Sequence, residues 1–255
     1  MHARVRFGAN RSGRATGVLR RGIDHGLDAP EAGRLSARPV PTGGPGPPPV
    51  AETGLVPLGL RARRDGFVYV PERYRPDVPA PLSVKFHGAG GDGRAGIGPF
   101  VASADELGLL LLGTDARGAT WDVIRGGYGD DVAFLDEALA AVFQAFAVDA
   151  GRLSIQGFSD GASYALSIGL TNGDLFRRIV AFSPGFMVPG VRHGQPEVFV
   201  SHGVDDRVLP IDRCSRRLVG QLRSEGYTVE YHEFDGGHTV PYDVAAEAEV
   251  WATRP

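Results

Sequence analysis

The stretch Leu153-Ser154-Ile155-Gln156-Gly157-Phe158-Ser159-Asp160-Gly161-Ala162-Ser163-Tyr164-Ala165-Leu166 decides how this chain folds. A short apolar run meets a G-x-S-x-G turn, and a helix-forming run follows. With 37 glycines in 255 residues the five-residue pattern alone is weak, so its weight comes from context. The strand Leu153–Gln156 precedes it and a helix over Asp160–Asn172 opens from it, which is what a nucleophile elbow needs. Gly157 and Gly161 remove side chains where backbones approach, and the strained turn pushes the Ser159 hydroxyl into a cleft. The helix N-terminus beneath it favours a developing oxyanion. Ser159 is the candidate nucleophile.

Outward from this point the chain alternates. Strands are expected at Val56–Arg61, Gly66–Val70, Leu82–Phe86, Leu109–Gly113, Ile179–Phe182, Val198–Ser201 and Thr228–His232. Helices are expected at Pro99–Leu107, Asp130–Phe146, Arg213–Glu225 and Tyr242–Trp251. Several strands are short apolar runs, as when both sheet faces are covered. Val132, Leu135, Leu139, Val142, Phe143 and Phe146 give the Asp130 helix one apolar face. The first two strands have no helix between them and predict an antiparallel start; the rest predicts a mostly parallel sheet of about seven or eight strands with helices on both faces.

A serine hydroxyl needs a base, and the base needs an orienting acid. His238 stands on the loop Phe234-Asp235-Gly236-Gly237-His238 after a strand, where an imidazole can swing over the sheet. His202 and His87 precede tight turns and are read as shaping them, and His232 lies inside a strand. Asp205 and Asp206 both follow the strand Val198–Ser201, and only one of two adjacent side chains can reach His238. Upstream, Leu82–Phe86 runs into His87-Gly88-Ala89-Gly90-Gly91, from which a second oxyanion N–H is donated in this order of elements. The backbone N–H groups of Ala89 and Asp160 are the candidates. No Lys-Ser/Thr pair follows the glycines, which argues against a phosphate loop.

Composition narrows the rest. A net charge of −3 argues against nucleic acid or an anionic membrane as a partner held by charge. Cys214 stands alone, so no intrachain disulfide or Cys-rich metal site exists, and a buried or half-buried helix position is expected for it. No apolar stretch is long enough to span a bilayer. Arg20-Arg21 lacks the apolar segment that an export signal requires, so a cytoplasmic protein is expected. Residues 1–50 lack apolar periodicity and end in a Pro/Gly run from Pro39 to Pro49, which predicts a mobile tail ahead of a catalytic domain over 51–255.

Taken together, His87–Gly91, Thr120-Trp121-Asp122, Gly157–Gly161, His202–Pro210 and Gly236–His238 resemble the phospholipase/carboxylesterase and polyhydroxybutyrate-depolymerase-like esterases. The resemblance covers residues 55–255. It implies an α/β-hydrolase fold, hydrolysis of a small-molecule ester and no cofactor or metal. In such families the carboxylate four residues after the histidine of H-G-x-x-D is the triad acid, which falls on Asp206. Asp205 is then expected in solvent or paired with an arginine. Lys85 departs from the family pattern, which often has an apolar residue there; a lysine in a central strand must reach solvent or a carboxylate.

Candidate substrate-binding residues are Trp121, which either lines the acyl or alcohol site or anchors its own loop, and Phe158 and Phe186, with Met187 beside them. Short linkers leave no room for a cap domain, and only Pro184–Pro196 has the length to cover a site. A thioesterase or polyester hydrolase would use the same groups, and a non-catalytic binding protein of this fold would lack a triad member. The sequence does not choose between monomer and dimer.

Overall fold

The computed structural model describes residues 32–39 and 52–255. Eight strands form one sheet: β1 (Gly54–Pro57), β2 (Gly66–Val70), β3 (Ala80–Phe86), β4 (Leu110–Thr114), β5 (Val148–Phe158), β6 (Arg178–Phe182), β7 (Glu197–Gly203) and β8 (Val229–Phe234). Their order across the sheet is β1-β2-β4-β3-β5-β6-β7-β8. β1 and β2 pair antiparallel, as do β2 and β4, and every later pairing is parallel. The helices are α1 (Gly93–Ile97), α2 (Val101–Leu107), α3 (Asp130–Ala145), α4 (Asp160–Thr171), α5 (Ser215–Ser224) and α6 (Tyr242–Thr253).

The apolar runs divide between two cores by alternation. Leu110, Leu112, Ile179, Ala181, Val198 and Val200 face the main core with α3 and α4. Leu109, Leu111, Val180, Phe182 and Phe199 face a second core with Val244, Ala248 and Trp251 of α6. Successive side chains of a strand point to opposite faces, so a continuous apolar run is what a sheet covered on both sides requires. Among the described residues no helix is long and apolar enough to cross a membrane.

Several element bounds shift, and β5 already starts at Val148. β1 ends at Pro57, because Leu58 N–H already goes to Gly66 O and Gly59 has φ +70°, turning the chain towards β2. The helix expected over 99–107 starts earlier and is interrupted. Asp92 caps α1 by accepting from Ala95 N–H at 2.9 Å, and a 3-10 turn over Gly98–Phe100 joins α1 to α2. Gly93 and Gly113 let α1 lie against β4: a Cβ on Gly113 would come within 2.4 Å of Gly93 O. Those glycines read as loop because close packing leaves no apolar periodicity.

The mobile-tail expectation fails for residues 32–39. Leu35 is buried in the main core at 1% exposure. Asn172, the C-cap of α4, holds this arm through both ends of its amide: Oδ1 accepts from Leu35 N–H at 2.9 Å, and Nδ2 donates to Gly33 O at 2.8 Å. Asp136 Oδ1 accepts from the N–H groups of Ser36 and Ala37, and Arg34 pairs with Asp174. Leu35 is the one fully buried apolar side chain of residues 32–39, and one such residue leaves no periodic signal. The Pro/Gly run and Arg20-Arg21 lie outside the described residues.

The segment after β6 runs along α4. Ser163, Ser167 and Thr171, spaced four apart, donate their hydroxyl protons to the carbonyls of Ser159, Ser163 and Ser167. Their oxygens then accept from the N–H groups of Gly185, Val188 and Gly190 at 2.9–3.0 Å. One helix face thereby satisfies the backbone of a segment with no regular structure of its own.

Candidate active site

Ser159 sits between the end of β5 and the start of α4 with φ 58° and ψ −120°, a left-handed conformation for a residue with a side chain. Such a backbone persists only when its surroundings enforce it. The glycines on either side show what enforces it. A Cβ on Gly157 would lie 2.2 Å from Gly161 C and O, and one on Gly161 would lie 2.3 Å from Phe86 O. Only glycine fits either place, and the turn is clamped between β3, β5 and α4.

His238 reaches Ser159 from the loop after β8: its Nε2 lies 2.8 Å from Ser159 Oγ. Its Nδ1 lies 2.6 Å from Asp206 Oδ2. A carboxylate only accepts, so Nδ1 carries the proton and Nε2 presents its lone pair to the serine hydroxyl. Asp206 Oδ1 accepts from Val208 N–H at 2.8 Å and Leu209 N–H at 2.9 Å. Burial pushes the Asp206 carboxyl up. The donors from Leu209, His238 and Val208 outweigh it and hold the group below the ordinary carboxylate range. Asp205 is exposed and its N–H goes to Gly236 O. Of the adjacent pair, Asp206 is the one within hydrogen-bond reach of His238.

The loop after β3 is curled by Gly91 N–H to Gly88 O and tied to the next loop by Gly90 N–H to Ala119 O, both at 3.1 Å. Its backbone lies close to Ser159, since a Cβ on Gly88 would stand 3.5 Å from Ser159 Cβ. His87 shapes this loop. It is buried, with Nδ1 at 2.7 Å from Gly88 O and Nε2 accepting from Ala116 N–H at 3.1 Å. Ala89 is exposed at the tip, and Asp160 N–H is the first of α4.

Thr120-Trp121-Asp122 does three separate jobs. Thr120 Oγ1 donates to Asp160 Oδ2 at 2.6 Å, beside the nucleophile. Trp121 is buried at 1% exposure, stacks on Tyr164 with centroids 4.8 Å apart, and donates Nε1–H to His87 O at 2.9 Å. It anchors the loop after β3 and does not line the cleft beside His238; a polar loop around it concealed a core residue. Asp122 Oδ2 accepts from Gly129 and Asp131 N–H, and Asp131 Oδ2 accepts from Asp122 N–H, so the loop is locked by two crossed carboxylates. Burial, followed by the neighbouring Asp131 charge, pushes the Asp122 carboxyl up to about 6.

A cleft of about 570 Å³ extends from His238 and Phe158 between α1 and α6. Phe86, Pro99, Phe100, Phe158 and Val240 give it apolar walls. Phe158 also packs on His238 with ring centroids 4.7 Å apart. Phe186 does not line this cleft; it is half-buried against the main core, and Met187 is buried there. Beneath the cleft, Lys85 is paired with Glu249, donates to Gln156 Oε1 at 2.7 Å and lies 3.9 Å from the centre of the Phe100 ring. Burial lowers its ammonium to about 8 against the opposing pull of Glu249. Its carboxylate partner comes from the last helix, which no local pattern around β3 announces. Among the described residues one His/Glu group, Glu230, His232 and Glu247, brings ligand atoms within 4.8 Å. His232 Nε2 lies 3.3 Å from Glu230 Oε1 and its Nδ1 lies 3.7 Å from Glu247 Oε2.

No family model matches the chain. Among curated relatives, the probable feruloyl esterase C of Aspergillus oryzae is 25% identical over 158 residues, 58% of this chain and 57% of that protein. The chain thus spans a little over half the length of that relative. Feruloyl esterase C of Emericella nidulans is 25% identical over 209 residues, 69% of this chain and 76% of that protein. Among solved structures, esterase PE8 aligns at a TM-score of 0.56 with 25% identity over 68% of this chain and 94% of that one. The Bacillus cereus carboxylesterase has the same fold at a TM-score of 0.57 and 18% identity, covering 75% of this chain and 94% of that one. With a mostly parallel eight-stranded sheet and a strained serine at the end of β5, the chain has the α/β-hydrolase fold and is similar to these esterases.

Proposed function

We propose that the protein is a serine carboxylic-ester hydrolase working through an acyl-enzyme on Ser159. The observation that carries this reading is the hydrogen-bonded line from Ser159 Oγ through His238 to Asp206, set on a strained turn. Ser159 Oγ attacks the ester carbonyl while His238 Nε2 takes its proton. The oxyanion forms against the N–H groups of Ala89 and Asp160. His238 then returns the proton to the departing alkoxide, releasing the alcohol. Water, deprotonated by the same Nε2, attacks the acyl carbon and frees the acid. Asp206 keeps the proton on Nδ1 throughout, so that Nε2 faces the reaction.

The apolar cleft beside Phe158 suits an acyl or alkyl group of moderate size, including an aromatic one such as the name of the fungal relatives implies. A fluorophosphonate probe followed by peptide mass mapping tests the assignment. The label is expected on Ser159, lost in Ser159→Ala, and accompanied by turnover of p-nitrophenyl acetate and methyl ferulate. Absence of label from Ser159 in folded protein overturns it.

A further inference from the structure

His202 was read from sequence as a turn-shaping residue. The structure places it, fully buried, behind the triad acid. Its Nε2 lies 2.8 Å from Leu209 O and 3.1 Å from Asp206 Oδ2. Both neighbours are acceptors only, so Nε2 must carry the ring proton and share it between them. The other nitrogen, Nδ1, is 2.6 Å from Ser215 Oγ and therefore accepts the serine proton. A protonated ring would set Nδ1–H against that hydroxyl proton and force it to turn away. Burial lowers the His202 imidazolium further, against the opposing pull of Leu209 and Asp206. The ring is accordingly neutral, with its tautomer chosen from both sides.

We infer that His202, oriented by Ser215, is a positioning residue for catalysis: its Nε2–H holds Asp206 Oδ2 in line with His238 and spreads the charge of that carboxylate. The inference rests on the assignment of Ser159, His238 and Asp206 proposed above. Its chemistry is simple. Asp206 Oδ2 receives the His238 N–H and has His202 Nε2 at 3.1 Å, while Oδ1 receives two N–H groups from the backbone. Removing the His202 donor leaves Oδ2 richer in charge, so it binds the His238 imidazolium more tightly and makes that imidazole a weaker acid. It also frees the carboxylate to rotate about its remaining donors.

Other charged and titratable groups surround this line. Glu233, on β8, acts on His202 but is engaged by Arg216 through two donors at 2.6–2.8 Å. Cys214, just before α5, is buried near Asp206. Asp205 is exposed at the loop surface. None of these touches Oδ2 in place of His202.

The test is the pH dependence of kcat/KM for p-nitrophenyl acetate in His202→Leu, His202→Gln and Ser215→Ala, with the wild type labelled by fluorophosphonate in parallel. His202→Leu is expected to raise the midpoint of the acid limb by about half a unit to one unit and to lower the plateau kcat about tenfold, with KM within about twofold. His202→Gln, whose amide can donate from near the Nε2 position, is expected to restore the midpoint to within about 0.3 unit of wild type. Ser215→Ala is expected to shift the midpoint the same way by a smaller amount, and it stands in if His202→Leu does not fold. An unmoved acid limb in folded His202→Leu or Ser215→Ala overturns the inference, as does a Gln variant shifted as far as the Leu variant. Failure of Ser159 to take the label in the wild type instead overturns the function on which the inference rests.

Discussion

Replacing Leu35 by alanine removes a side chain that is 1% exposed and packed into the main core from an arm otherwise held by polar contacts. A buried Leu→Ala change costs about 2–5 kcal/mol, the spread reflecting how far the surroundings collapse. The arm can move inward when its anchor is shortened, so the lower half of that range applies, about 2–3 kcal/mol. In a chain of this size each kcal/mol lowers the melting temperature by about 2–4 °C, giving an expected drop of about 4–12 °C. The arm meets α4 at Asn172, its C-cap, whereas Ser159 is its N-cap. Thirteen helical steps of about 1.5 Å separate the two by about 20 Å. Ester turnover below the melting transition should therefore stay within about twofold of wild type. Calorimetry with kinetics on the same preparation measures both quantities. A melting temperature within 1 °C of wild type would show that Leu35 contributes no docking energy, and lost turnover without a thermal shift would show that the arm acts on the site. Arg34→Ala, which removes a guanidinium that pairs with Asp174 and also donates to Thr171 O and Asn172 Oδ1, is expected to lower the melting temperature by less than Leu35→Ala.

Asp206→Asn should lower kcat by several orders of magnitude, because an amide favours the wrong imidazole tautomer, while Asp205→Asn should stay within about twofold; kcat for a p-nitrophenyl ester decides, and equal losses refute the choice. Asp122→Asn should stabilise the protein above pH 6. The folded-state carboxyl is raised to about 6 from 3.8, so the wild type loses stability as pH rises through that interval, by at most about 3 kcal/mol for two pK units. Thermal melts of both proteins at pH 4 and pH 8 should show an advantage for the variant only at pH 8, and an advantage of equal size at both would refute this. Lys85→Met should destabilise by about 3–5 kcal/mol because it strands Glu249 in an apolar layer, and Lys85→Met with Glu249→Leu should recover most of the loss in denaturant melts. A double variant no more stable than the single one would show that the pair is needed for packing.

Much of this protein is determined locally. The apolar runs that became β4, β6 and β7 were legible because a strand covered on both faces must be apolar at nearly every position, and α3 showed itself by one apolar face. The elbow was legible for a related reason. Two backbones meeting at 2.2–2.3 Å from any added Cβ leave glycine as the only residue at positions 157 and 161. Ser159 and His238 followed from residue type and chain order, and Asp206 only with the family resemblance. What the tertiary structure alone decided depends on partners distant in sequence. Lys85 finds Glu249 across 164 positions, Leu35 is buried only because Asn172 and α4 receive it, and Trp121 is core only because Tyr164 lies against its face. His202 looked like any histidine before a turn until Ser215, Leu209 and Asp206 closed around its two nitrogens. Periodicity and turn chemistry report the neighbours of a residue along the chain; burial and proton placement are set by neighbours in space, which no local pattern encodes.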